Sequence, residues 1–327
     1  MKKTYVGALS IMLAAFLWAF DGVVLTPWIM KLGLFDVPIF VFMLHAVGSL
    51  FLSYFFITKR QELKQLDWKD WGAFVLVGIF GGALGTMGIV GAIIFVHSHH
   101  LNISVVLLLQ KLQPIFAILL AIIILKERPH IKFYLLALIA LIGSYFLTFG
   151  FGSPDFSAGG MLVPALLALL AAFSFGSSTV FSKRAIEKVS HGTGTMLRFY
   201  ITTLVMLVII SFISILKFTG VEMSYAGFAG FSIIGWKLIG AFVVVALTTG
   251  IFGIFIYYYG LKRVMATRST IYEMAFPVSA IVLEWLIHDK LLSIGQWFGT
   301  IVLLGAIILI TRLNNGYENR DRRITSQ

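Results

Sequence analysis

Two short polar clusters interrupt sequence that otherwise suits a lipid bilayer. In stretch 101–127, LNISVVLLLQKLQPIFAILLAIIILKE, the residues Gln110, Lys111, Gln113 and Pro114 sit in the middle of an apolar run. That run is long enough to cross a bilayer, for which about 20 apolar residues suffice. A charged residue at the centre of a spanning helix costs roughly 2.5–3.5 kcal/mol on insertion scales, so Lys111 is expected to face protein or a wet cavity. Pro114 cannot donate to the carbonyl of Gln110, which leaves an acceptor free beside Lys111. The second cluster is Glu273-Met274-Ala275-Phe276-Pro277. Aligning the two prolines sets Gln110 against Glu273, with Lys111 next to it. One cluster is cationic and the other anionic. Together they would hold the two ends of a zwitterion, or they would neutralise each other between packed helices.

Other residues extend this chemistry. Asp21 is flanked by Trp18 and Phe20, and a carboxylate beside an indole face suits an ammonium group; the alternative is an acid near a helix end, snorkelling to the surface. Ser269, Glu273, Pro277, Ala280 and Glu284 fall on one stripe of a helix, as a cavity wall would. Thr248 and Thr249 are mid-segment hydroxyls, and Tyr257, Tyr258 and Tyr259 suit an interface belt or a gate. His45 could titrate near neutral pH and so couple transport to protons, alongside Asp21 and Glu273; the bland reading is a packing histidine. His97, His99 and His100 lie close together, but no cysteine or carboxylate nearby supports a metal site, and a solvated loop is expected.

The elements that must position these residues follow from composition. Of 327 residues, 59% are hydrophobic and 12% charged, against about 25% charged in soluble domains. The chain is an all-α polytopic membrane protein. With no cysteine, disulfides, thiolate metal sites and thiol nucleophiles are excluded. Neither a cofactor nor a metal is expected. The net charge of +11 does not indicate a nucleic-acid partner, because the basic residues lie in short clusters between apolar runs. The basic start followed by a long apolar run reads as a retained first helix rather than a cleaved signal.

Ten apolar segments can be drawn, at about 5–27, 37–58, 71–96, 101–125, 131–151, 160–182, 196–217, 235–259, 267–288 and 292–312. With both termini cytoplasmic, eighteen lysines and arginines fall in inner segments and four in outer ones, which sets the orientation by the positive-inside pattern. From residue 314 the chain reads as a disordered polar tail. Pro114 is followed by Glu127 and then Gly143; Pro277 is followed by Asp289 and then Gly305, at nearly the same spacing. The chain therefore divides into a five-helix repeat at 1–152, an inverted second repeat at 153–313, and a tail at 314–327. Inverted repeats commonly place a substrate site near the midplane between the halves. The glycine-rich third segment, with Gly78, Gly81, Gly82, Gly85, Gly88 and Gly91, permits close helix approach and leaves room for a ligand. The run 173–179, FSFGSST, is unusually polar for a span; packing hydroxyls explain it most simply.

On these features the chain resembles the drug/metabolite transporter superfamily and, within it, the EamA-type ten-helix transporters. The resemblance is carried by the paired repeats, by LQPIFAILLAIIILKERP closing the fourth helix and by MAFPVSAIVLEWLIHDK closing the ninth. It implies a secondary transporter of metabolites whose central cavity is lined mainly by helices 1, 3, 4, 6, 8 and 9. Asp289 stands where such proteins more usually have Glu, and Lys111 is not part of the pattern.

The expected function is transport of a small polar metabolite, an amino acid or related zwitterion, across the cytoplasmic membrane by alternating access. Lys111 would hold a carboxylate and Glu273 or Asp21 an ammonium. Gln110 and Gln113 would orient the cargo, with Trp18 and Thr249 beside it. The partners are the small-molecule substrate, the lipid bilayer, and a proton or counter-substrate. An organic cation such as a quaternary amine is the alternative cargo. An intramembrane enzyme or lipid-handling protein is the alternative of a different class, and no catalytic motif supports it.

Overall fold

The computed structural model describes residues 2–99, 101, 103–153, 160–288 and 291–325. Among these residues there is no strand, and nine helices are long and apolar enough to span a bilayer. They are α1 (Thr4–Lys31), α3 (Trp68–Ser98), α4 (Val105–Ile124), α5 (Ile131–Phe149), α6 (Leu162–Ala185), α7 (His191–Phe218), α8 (Trp236–Leu261), α9 (Ala266–Ile287) and α10 (Ile294–Leu313). A shorter apolar helix, α2 (Val37–Leu52), lies where the second segment was expected. Its helix ends at Ser53 and resumes for one turn at Tyr54–Thr58. The Ser53 hydroxyl turns back to the carbonyl of Ser49 and also meets the Tyr200 hydroxyl, at 3.1 and 2.5 Å. Such back-bonding bends or interrupts helices.

The bundle is apolar on its outside as well as within. Leu9, Ile123, Leu135, Leu166, Phe212 and Ile301 are exposed, while hydroxyls such as Ser174, Ser177, Thr179 and Thr202 are buried. Water would penalise that distribution; lipid does not, since in hydrocarbon the polar groups must find partners inside the protein.

Close pairs are α5 with α10, α6 with α3 and α4, α1 with α8 and α9, and α2 with α7. Glycine decides several of them. A Cβ on Gly143 would lie 2.7 Å from the backbone nitrogen of Leu303, and one on Gly299 would collide with the backbone at Leu147. Hence α5 and α10 cross with their backbones in contact. Gly305, paired with Gly143 in the sequence pattern, faces open space instead; Gly299 makes the crossing. In α3, Gly81, Gly82 and Gly88 press against Ser178, Thr202 and the backbone of Leu167, so close packing with α6 and α7 accounts for them.

Three spans contain a π-helical segment: Asp21–Leu25 in α1, Val77–Leu84 in α3 and Ala246–Phe252 in α8. Each inserts a wide turn that shifts the hydrogen-bond register, a feature frequent at functional sites. The backbone beyond residue 314 continues as helix to Thr325, where an irregular tail was expected. No proline follows Pro277 to break it. Asp289, the acidic turn of the second repeat, lies outside the described residues.

Candidate functional site

The two spans that carry the polar clusters, α4 and α9, are broken at them. The fourth runs as Ile103–Gln110 and Gln113–Ile124, and the ninth as Ala266–Tyr272 and Ala275–His288. At the breaks the bonding tightens to i→i−3: Leu112 N donates to Leu109 O, and Met274 N to Ile271 O, each at 3.1 Å. Discontinuous helices of this kind build ligand sites at membrane depth, where irregular backbone is tolerated only against protein or a cavity.

Glu273 occupies the break in α9. Its Oε1 accepts from the Tyr257 hydroxyl at 2.8 Å, the Ser269 hydroxyl at 3.1 Å and the Thr179 hydroxyl at 3.4 Å. Its Oε2 accepts from Gln113 Nε2 at 2.7 Å. Four spans, α4, α6, α8 and α9, thus converge on one half-buried carboxylate. Tyr257 also carries the indole of Trp18 against its ring, with centroids 5.3 Å apart. One turn beyond Trp18, Asp21 opens the π segment of α1. Its Oδ1 accepts from Thr26 at 3.1 Å and its Oδ2 from Thr249 at 3.0 Å. The Asp21–Thr249 bond joins the π segments of α1 and α8.

Trp18, Gln113 and Glu273 therefore share one network, and Asp21 with Thr249 forms a second one turn along α1. Lys111 belongs to neither. Its ammonium donates to the Thr148 hydroxyl of α5 at 2.5 Å. Among the described residues the ion pairs are Lys59–Glu62, Lys188–Asp67 and Lys188–Asp70, so Lys111 and Glu273 do not neutralise each other. Across the break at Lys111 and Leu112 the two side chains part: Lys111 turns to α5 and Gln113 to α9. Gln113, rather than the aligned Gln110, reaches Glu273. Gln110 is half-buried at the end of the first piece of the helix.

His45 is buried, with Nδ1 2.8 Å from the Val41 carbonyl and its ring 5.1 Å from that of Phe199. These are packing contacts between α2 and α7. His97 and His99 each bond a carbonyl of their own helix, of Ile93 and Phe95, and His100 lies outside the described residues. No group of three or more His, Asp or Glu side chains among the described residues is arranged for a metal.

Tyr257 and Thr179 were not singled out as contacts of Glu273, though both lie in runs with a visible signal. Tyr257 opens a tyrosine triplet, and Thr179 closes the hydroxyl run of α6. Tyr257 and Tyr258 are both buried, and Tyr257 is the one that reaches Glu273 while Tyr258 meets Ser182.

At one end of the bundle, backbone amides and ion pairs tie residues early in the chain to residues late in it. Glu127 accepts from Ala266 N and Thr267 N, at 2.7 and 2.9 Å, capping α9. Glu62 accepts from Ser190 N at 2.6 Å and the Thr193 hydroxyl at 2.7 Å. Lys188 meets Asp67 and Asp70 at 3.0 and 2.7 Å.

A polytopic bundle with broken helices around a shared polar centre has the form of a small-molecule transporter. The EamA-like transporter family model matches residues 5–149 and 162–312, and the chain belongs to that family. It is a multi-pass transporter of the cell membrane. It is 41% identical, over 94% of its length and 98% of the other protein, to the riboflavin transporter ImpX of Fusobacterium nucleatum. Two uncharacterised transporters are each 26% identical: one of Synechocystis covers 83% of this chain and 74% of its own, and YdfC of Bacillus subtilis covers 80% and 77%. A solved crystal structure shares the fold with a TM-score of 0.67 at 16% identity, covering 96% of this chain and 98% of that one.

Proposed function

We propose that the protein is a secondary transporter of riboflavin or a closely related flavin, working by alternating access between inverted repeats 1–152 and 153–313. The observation that carries the cargo is the 41% identity, nearly end to end, with a transporter of riboflavin. The site is chemically compatible. A flavin joins a flat, weakly polar ring to a hydroxylated chain. The Trp18–Tyr257 pair offers an aromatic face. Gln113 and Glu273, both half-buried, offer a donor and an acceptor for the ring edge or the hydroxyls. The termini are cytoplasmic by the basic-residue count. Glu273 and Asp21, rather than His45, are the groups whose protonation would couple transport to a proton gradient.

The zwitterion reading required Lys111 on one cavity with Glu273 or Asp21, and Lys111 turns to α5. An organic cation is the second reading: Asp21 and Glu273 lie near an indole with no cation paired to either among the described residues. Uptake into proteoliposomes of riboflavin, choline and a mixture of amino acids separates the three. Saturable riboflavin uptake, competed by neither of the others, is the expected result. Choline or amino-acid uptake without flavin uptake would overturn it.

A further inference from the structure

On the far side of α4 from Glu273 lies a crevice of about 300 Å³ between α4 and α5. Leu108, Leu112, Leu141 and Ile142 make most of its wall, and Lys111, Ser144 and Tyr145 supply the polar atoms. The Lys111 ammonium has three donors to satisfy, yet its hydrogen bond within the protein is the one to Thr148. No carboxylate among the described residues is within ion-pair distance of it. Ser144 is 2% exposed, and its hydroxyl makes no hydrogen bond within the protein. A cation with donors to spare and no carboxylate beside it, in an apolar crevice, calls for an anionic ligand with an apolar part.

Position narrows the class. Thr148 is the last residue but one of α5, so the ammonium is drawn toward that end of the bundle, opposite the termini. Lysine stems commonly bury along apolar surface while the head reaches the interface. There it meets the level of lipid phosphates, and basic pockets between spans are known to take such headgroups. The crevice is also open laterally: Leu138 and Ile142 on α5 are 54% and 45% exposed on the apolar exterior.

We propose that this crevice binds an anionic phospholipid, with the headgroup phosphate on the Lys111 ammonium and an acyl chain along Leu108, Leu141 and Ile142. The site is separate from the transport site and independent of the cargo.

The test is native mass spectrometry of delipidated protein titrated with phosphatidylglycerol, with phosphatidylcholine and soluble glycerol phosphate as comparisons. Wild type should retain one phosphatidylglycerol with at least about tenfold preference over phosphatidylcholine. Lys111→Met and Lys111→Gln should lose that preference, and Lys111→Arg should keep it. An unchanged or raised melting temperature for Lys111→Met shows that the loss is not misfolding. Equal retention by Lys111→Met and wild type would overturn the proposal, as would absence of preference in wild type. Displacement of the lipid by glycerol phosphate at equal concentration would make the ligand a free anion and overturn it too.

Discussion

Gln113 donates its amide N–H to Oε2 of Glu273 across 2.7 Å, joining the broken helix of one half to the broken helix of the other. Any relative movement of the two halves at this level must stretch or replace that bond. A cargo that inserts its own donor or acceptor here gains what the bond loses.

Gln113→Leu should weaken flavin binding about 2-fold to 10-fold, since the cargo loses its own hydrogen bond to the amide, worth about 0.5–1.5 kcal/mol. Glu273→Gln should keep the shape and lose most uptake. Quenching of flavin fluorescence by the purified protein measures binding, and proteoliposome uptake measures turnover. Wild-type affinity in both variants would remove this dyad from the site.

Thr249→Val leaves Asp21 Oδ2 without its donor and should cost about 1–3 kcal/mol of stability, the usual penalty for a part-buried acceptor that loses its partner. Thr249→Ser should be close to wild type. In an Asp21→Asn background the Thr249→Val penalty should shrink, which a double-mutant cycle of thermal unfolding reads directly.

Glu127→Ala removes the acceptor for Ala266 N and Thr267 N. Loss of a helix cap costs about 1 kcal/mol. Because the chain has no cysteine, a thiol introduced by Met265→Cys gives a clean reporter. It should be alkylated faster in the Glu127→Ala background, and equal rates would show that the cap does not hold this end of α9.

The backbone N–H of Asp70 and the ammonium of Lys188 hold the Asp67 carboxyl down at about 2, below its ordinary 3.8. A depressed acid stabilises the fold above its unfolded value and loses that contribution as pH falls through the folded one. The melting temperature of Asp67→Asn should thus lie below wild type by a constant margin at neutral and mildly acidic pH. The margin should close between about pH 4 and pH 2.

The spans were legible because twenty apolar residues in a row have few alternative fates. Glu273, Asp21 and Thr249 were legible singly, because a polar side chain at membrane depth needs a partner. The partners were not. Lys111 and Gln110 were matched to Glu273 by counting back from a proline, but the break at Lys111 and Leu112 decides which side of α4 each residue faces. Gln113, two residues on, takes the contact. The π segments left no mark in composition, since a wide turn is a matter of bonding register and not of residue type. Their effect is large: Asp21 and Thr249 both lie within them. The shortness of α2 was hidden likewise, because Ser53 is unremarkable until its hydroxyl is seen turning back on the helix.

The crossing at Gly143 and Gly299 sets a mechanical limit. Two main chains that touch without intervening side chains have no rotamers to readjust, so sliding there is resisted by backbone itself. Under the alternating access proposed above, α5 and α10 would be the stator and α1, α4, α8 and α9, with their breaks and widened turns, the moving parts. Spin labels on the lipid side of α5 and α10 should accordingly keep one separation throughout the transport cycle, while labels on α4 and α9 report two.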